Sequence, residues 1–203
     1  MFHVDPQATP KTDYASHRPL RLVAAGRLVR RKNFALIIET LARLRDTLDV
    51  SLDIFGEGTE RARLEKQIER LELGSAVRLH GYAARWYAEG ATINADIFVN
   101  LSDTEGFCIV VAEAMAIGLP VIATDVGGIR DYGREGTNML KLAGVDGEAL
   151  ARALHKLAED EALRRRLGKT AHADMMRQFN PQTLRQRGQE VLAGATPRRA
   201  KKA

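Results

Sequence analysis

At 203 residues, with 45% apolar and 28% charged side chains, the chain has the length of one ordinary domain or two small ones and enough apolar material to exclude wholesale disorder. Its single cysteine, Cys108, excludes an intrachain disulfide and fits a reducing compartment. The net charge of +5 belongs mostly to residues 196–203, where Arg198, Arg199, Lys201 and Lys202 stand without an acid; the near-neutral body speaks against a nucleic-acid partner.

Residues 1–19 carry three prolines among small polar residues and read as a linker, with no targeting signal. A strand is expected over 20–25, ending at Gly26. The helix that follows sets Phe34, Ile37, Leu41, Leu44 and Leu48 on one face. A second strand over 51–55 stops at Gly56-Glu57-Gly58. Leu64, Ile68 and Leu71 mark a second helix, and a short strand over 77–79 ends before Gly81. Residues 86–92 read as a short helix and 97–101 as a buried strand. A helix over 108–117 is stopped by Gly118 and Pro120, and strands follow over 121–123 and 139–142. Helices over 148–157, 162–178 and 181–192 close the pattern, the last with Pro181 in its first turn and Asn180 as cap.

Strand and helix alternate about six times, which predicts an α/β domain over 20–192: a Rossmann-like parallel sheet with helices on both faces, followed by a basic, disordered tail over 193–203. In such sheets ligands bind beyond the carboxyl ends of the strands, so the residues just after each strand are the candidates. After the first strand come Gly26-Arg27-Leu28-Val29-Arg30-Arg31-Lys32-Asn33, four cations suited to phosphate oxygens. The segment is not a P-loop, lacking its second glycine and Gly-Lys-Ser/Thr ending, and Gly168-Lys169-Thr170 lies in a helical pattern. The other candidate runs from Ser102 to Met115. There Glu105 lies in a loop, and Glu113 interrupts an apolar helix beside Val110, Val111, Ala112, Ala114 and Met115. A carboxylate in that setting needs partners. A vicinal hydroxyl pair on a ligand would serve, and so would backbone or an arginine of the core. Gly106 permits close backbone approach to a ligand, and the amides of Phe107, Cys108 and Ile109 would open a helix start suited to anions.

These segments together resemble the carboxyl-terminal half of a group-1 retaining nucleotide-sugar glycosyltransferase with the GT-B fold. The resemblance rests on Gly26-Arg27-Leu28 with Lys32; Phe55-Gly56-Glu57-Gly58; Val77 to Tyr82; Glu105-Gly106-Phe107 with Glu113-Ala114-Met115-Ala116; and Gly118 to Thr124 leading to Gly127-Gly128. It covers roughly residues 20–142. Ile129-Arg130-Asp131 stands where proline and glutamate are usual after the two glycines, and Met139 where a second glycine often follows Asn138.

The resemblance implies that Arg27 and Lys32 hold the donor diphosphate as it leaves, that Glu105 lies near the transferred sugar, and that Glu113 binds the ribose hydroxyls. It further implies that the backbone of Gly106, Phe107, Cys108 and Ile109 meets phosphate and sugar oxygens, and that Gly26, Gly56, His80, Gly81 and Tyr82 border the nucleotide, the last three near its base. It implies a nucleotide-sugar substrate, no cofactor and no metal, a glycan or lipid-linked acceptor, a facing N-terminal GT-B domain outside this sequence, and a cytoplasmic location with peripheral membrane contact admitted. Rival readings are another GT-B chemistry, such as an epimerase or phosphorylase, a non-catalytic nucleotide-sugar-binding module, and a nucleic-acid binder acting through the tail.

Overall fold

The computed structural model describes residues 10–15 and 19–179. The helix expected over 181–192, its Asn180 cap and the basic tail lie outside the described residues. Six parallel strands, β1 (Leu20–Ala25), β2 (Val50–Phe55), β3 (Val77–Gly81), β4 (Ile97–Asn100), β5 (Val121–Thr124) and β6 (Leu140–Leu142), form one sheet in the order β3-β2-β1-β4-β5-β6. The order reverses between β1 and β4, and a crevice opens at the strand ends where the crossovers part in opposite directions.

Alternation along the strands divides the core in two. Leu22 and Ala24 of β1 face the same side as Leu52, Ile54, Ile97, Val99 and Ile122. That side is covered by α1 (Phe34–Leu44), α2 (Arg61–Arg70) and α6 (Gly147–Glu159), whose apolar stripes include Ile37, Leu41, Leu64, Leu150 and Leu154. Val23 and Ala25 face the opposite side with Phe98, Val121 and Ala123, under α4 (Ile109–Ala116) and the short helices α3 (Gly90–Ile93) and α5 (Ile129–Tyr132). The last described helix, α7 (Glu161–Phe179), serves both sides: Leu163 and Leu167 join the first cluster, Ala171 and Met175 the second. The expected Rossmann-like layering is thus present.

Four local expectations change. Helix α1 closes at Leu44, whose carbonyl accepts from the amides of Thr47 and Leu48; Leu48 still reaches the core, at 7% exposure, from beyond the helix. The region over 86–92 divides into a 3-10 turn, Trp86–Ala88, and α3. Helix α5 follows Gly128 where no element was expected. Residues 10–15, expected within a linker, are docked. The Lys11 amide donates to the Ile117 carbonyl, and the Tyr14 hydroxyl to that of Gly118 at 2.9 Å. Buried Arg164 of α7 grips the Tyr14 carbonyl with Nε and Nη2, at 3.1 and 2.8 Å. No helix among the described residues is long and apolar enough to cross a membrane.

Candidate functional site

The loops after β1, β2, β3, β4 and β5 are laced together at one end of the sheet. Gly26 donates its amide to Phe55, Gly56 to Gly81, Leu28 to Glu57, Asp103 to Arg31, and Gly128 to Gly106. Two glycines make this lacing sterically feasible. A Cβ on Gly56, at φ +150°, would lie 1.8 Å from the Gly26 carbonyl oxygen. One on Gly127, at φ +52°, would lie 1.8 Å from that of Glu105. Two backbones approach so closely at these points that only glycine fits.

The laced loops enclose a cleft of about 710 Å³. From the β1 loop come Gly26, Arg27, Arg31 and Lys32; from the β2 loop Gly56 and Glu57; from the β3 loop Tyr82 and Trp86; from the loop and helix after β4 come Glu105 to Val110 and Glu113. Charged groups sit at defined points of a mixed wall, as in small-molecule sites generally.

Lys32 is buried at the end of a 3-10 turn, Arg30–Lys32, and its Nζ donates to Glu105 Oε1 at 2.5 Å. Each side chain of this pair is 9% exposed. Burial pushes the Glu105 carboxyl up, but bonds from Lys32, Ser102 and Cys108 outweigh it and hold the group below the usual carboxylate range. Arg27 is exposed on the wall. Asn33 ties the loop after β1 to the loop after β4: at φ 52° it precedes α1, and its Nδ2 donates to Leu101 O and Asp103 Oδ1, both at 2.8 Å.

Helix α4 begins at Ile109, after Cys108 in the left-handed conformation at φ 59°. Its first amides and the positive end of its dipole belong to the cleft wall. Burial pushes the Cys108 thiol up to about 12, so it is an inert thiol at neutral pH. Tyr132 supports this corner from α5, its hydroxyl donating to the carbonyls of Phe107 and Cys108 at 2.9 and 3.1 Å. One turn along α4, Glu113 is half-buried. Burial raises its carboxyl above the ordinary range, and a hydrogen bond from the Trp86 indole, 2.7 Å to Oε2, offsets this only in part.

The structure brings Gly26, Arg27, Lys32, Gly56, Tyr82, Glu105, Gly106, Phe107, Cys108, Ile109 and Glu113 to one cavity. Two expected residues do not face it. The Nε2 of His80 meets Asp53 Oδ1 at 2.5 Å and its ring stacks on Phe55 at 4.6 Å; it lines a separate polar groove with Arg21 and Arg78. His80 follows Arg78 on one face of β3, and its bond to Asp53 of the neighbouring strand holds it in that groove. Gly81 serves as a backbone support, its carbonyl accepting from Gly56. Arg31, one of the four candidate cations, also lines the cleft, and so do Glu57 and Trp86, which were not singled out as site residues. For Trp86 a signal existed: a buried indole must find an acceptor for its N–H.

The glycosyl transferases group 1 family matches over residues 11–174. A lipopolysaccharide core biosynthesis glycosyltransferase of Rhizobium meliloti, LpsE, is 32% identical over 183 residues, which is 90% of this chain and 52% of that protein. A GDP-mannose-dependent alpha-mannosyltransferase of Mycolicibacterium smegmatis is 34% identical over 154 residues, 74% of this chain and 37% of that one. The crystal structure of Anabaena Alr3699/HepE in complex with UDP superposes with a TM-score of 0.77 at 25% identity, covering 87% of this chain and 49% of the other. The chain spans about half the length, or less, of these relatives.

Proposed function

We propose that this chain, which belongs to the group 1 glycosyl transferases, is the donor-binding domain of a retaining, metal-independent glycosyltransferase that moves a sugar from a nucleoside diphosphate to a glycan or lipid-linked acceptor. One observation carries the reading: the cations Arg27 and Lys32, the start of α4 and the half-buried Glu113 carboxylate share a single cleft at the point where the sheet order reverses.

Each group has a role that its chemistry suits. As the bond between sugar and diphosphate breaks, negative charge grows on the departing phosphate. Arg27 offers a planar fork of donors to it, Lys32 a compact charge, and the first amides of α4 an aligned set of dipoles. A positive field fixed before reaction lowers the barrier without reorganising, and these groups would supply it without a metal. Lys32 has three donor hydrogens, so it can serve a phosphate oxygen while keeping Glu105. Glu105 would then lie beside the transferred sugar. Glu113 would accept from the ribose hydroxyls, whose donation compensates a carboxylate that burial disfavours. Tyr82, 79% exposed at the rim, offers a ring face to a base. The UDP held by the Anabaena relative supports a nucleotide ligand.

An acceptor hydroxyl must come within about 3–3.5 Å of the anomeric carbon. A facing domain, of the kind that the longer relatives have room for, would bring it and exclude water on closure. A panel of UDP, GDP, ADP and their sugars tests the reading by thermal unfolding. A ligand at 100 times its dissociation constant should add about 2.7 kcal/mol of stability. No stabilisation by any member of the panel would overturn the donor assignment.

A further inference from the structure

Trp86 and Glu113 lie 27 residues apart in sequence and meet at the cleft wall. The indole is held firmly. Trp86 is 4% exposed, its ring tilts against Phe98 with centroids 5.1 Å apart, and the Tyr87 ring stands edge-on to it with centroids 6.1 Å apart. Its own carbonyl accepts from the hydroxyl of buried Thr92 at 2.7 Å. Glu113 stands between buried Ala112 and Ala114 on α4, and an unbranched glutamate there has three side-chain torsions to fix. An indole N–H donates in one direction and accepts nothing.

We propose that Trp86 is a positioning residue for Glu113: its N–H fixes Oε2, and the carboxylate is thereby left with Oε1 aimed at a vicinal ribose diol, which makes the cleft selective for ribonucleotides over deoxyribonucleotides. The inference rests on the assignment of Glu113 to the ribose. Physically, a carboxylate that is already ionised and oriented when the ligand arrives accepts from two hydroxyls without the cost of ordering it on binding. The indole bond serves both needs, since it favours the charged form that burial opposes and removes the freedom of the terminal torsion. The indole bond ends on Glu113, whereas the diphosphate is assigned to Arg27, Lys32 and the first amides of α4, so pyrophosphate binding should not depend on it.

Because the chain has one tryptophan, replacing all tryptophan by benzothienylalanine during expression changes this position alone. The analogue keeps the two fused rings and carries sulfur in place of the N–H. Calorimetry would compare UDP, GDP and ADP with their 2′-deoxy forms and with inorganic pyrophosphate, in the wild type, the analogue protein, Trp86→Phe and Glu113→Gln, with melting curves alongside. The preference for ribose should fall about tenfold in the analogue protein, pyrophosphate affinity should not change, and Glu113→Gln should lose the same preference. Trp86→Phe, which keeps a ring against Phe98, provides the same comparison if the analogue protein does not fold. If Glu113→Gln loses the preference while the Trp86 variants keep it, positioning by Trp86 is wrong and the ribose assignment stands. A drop in pyrophosphate affinity equal to the drop for nucleotides would also overturn it, as general loosening. If Glu113→Gln keeps the preference, or no nucleotide binds the wild type, the assignment beneath the inference fails.

Discussion

Substituting Lys32→Ala leaves the Glu105 carboxylate at the base of the cleft without its cation. Breaking a buried ion pair from one side costs about 3–5 kcal/mol, because the remaining charge stays desolvated. Here Nζ and Oε1 are 2.5 Å apart, with both side chains 9% exposed. Two features reduce the cost: Ser102 and Cys108 also bond to Glu105, and the cleft admits water on one side. We expect a loss of about 2–3 kcal/mol, which for a domain of this size lowers the melting temperature by about 4–12 °C. The double variant Lys32→Met/Glu105→Gln should recover at least half of that, having no orphaned charge. The sign with pH follows from the depressed carboxyl of Glu105. Its contribution is complete above the ordinary value of about 4.5 and is lost as pH falls through the lower folded value. Urea denaturation of wild type, single and double variants at neutral pH and near pH 4 measures all of this. A single variant as stable as wild type, or a double variant no better than the single, would show that the pair does not hold the cleft in this way.

Other outcomes follow from the same site. Nucleotide binding should weaken as pH falls through the raised carboxyl of Glu113, since a bound diol favours the ionised form, and calorimetry of Glu113→Gln should show that pH step removed. Cys108→Ser should retain nucleotide affinity within a small factor, and the wild-type thiol, pushed up to about 12, should resist iodoacetamide at neutral pH; rapid alkylation or loss of binding without unfolding would give the thiol a role. With labelled donor and candidate acceptors, the 203-residue chain should hydrolyse donor slowly and transfer none; turnover near 1 per second or faster would mean that it carries its own acceptor site.

The alternating layers were legible because each rests on local periodicity: the stripe from Phe34 to Leu44 and the apolar run from Ile97 to Leu101 need no distant partner to be read. The cleft was legible because loops after parallel strands must gather at one end of the sheet. What escaped depended on contacts far along the chain. Tyr14 lies in a polar stretch that reads as linker, yet Gly118 and Arg164, more than 100 residues away, bond to it. His80 belongs to a motif at a strand end, but a bond to Asp53, 27 residues away, holds it in a neighbouring groove. Of the four cations after Gly26, Lys32 turns inward because it ends a 3-10 turn ahead of the left-handed Asn33, which local charge pattern does not reveal.

On the proposed function, Arg27, Lys32 and the start of α4 form a diphosphate site. Calorimetric titration of wild type and Arg27→Ala with UDP, GDP and ADP, each beside its nucleoside, tests it most directly. A charge-assisted contact is worth about 1.5–3 kcal/mol, or roughly ten- to a hundredfold in affinity. In the wild type at least one diphosphate should bind more tightly than its nucleoside by that factor or more, and Arg27→Ala should remove most of the difference. Equal affinity for diphosphate and nucleoside in the wild type, or a difference untouched by Arg27→Ala, would contradict the account.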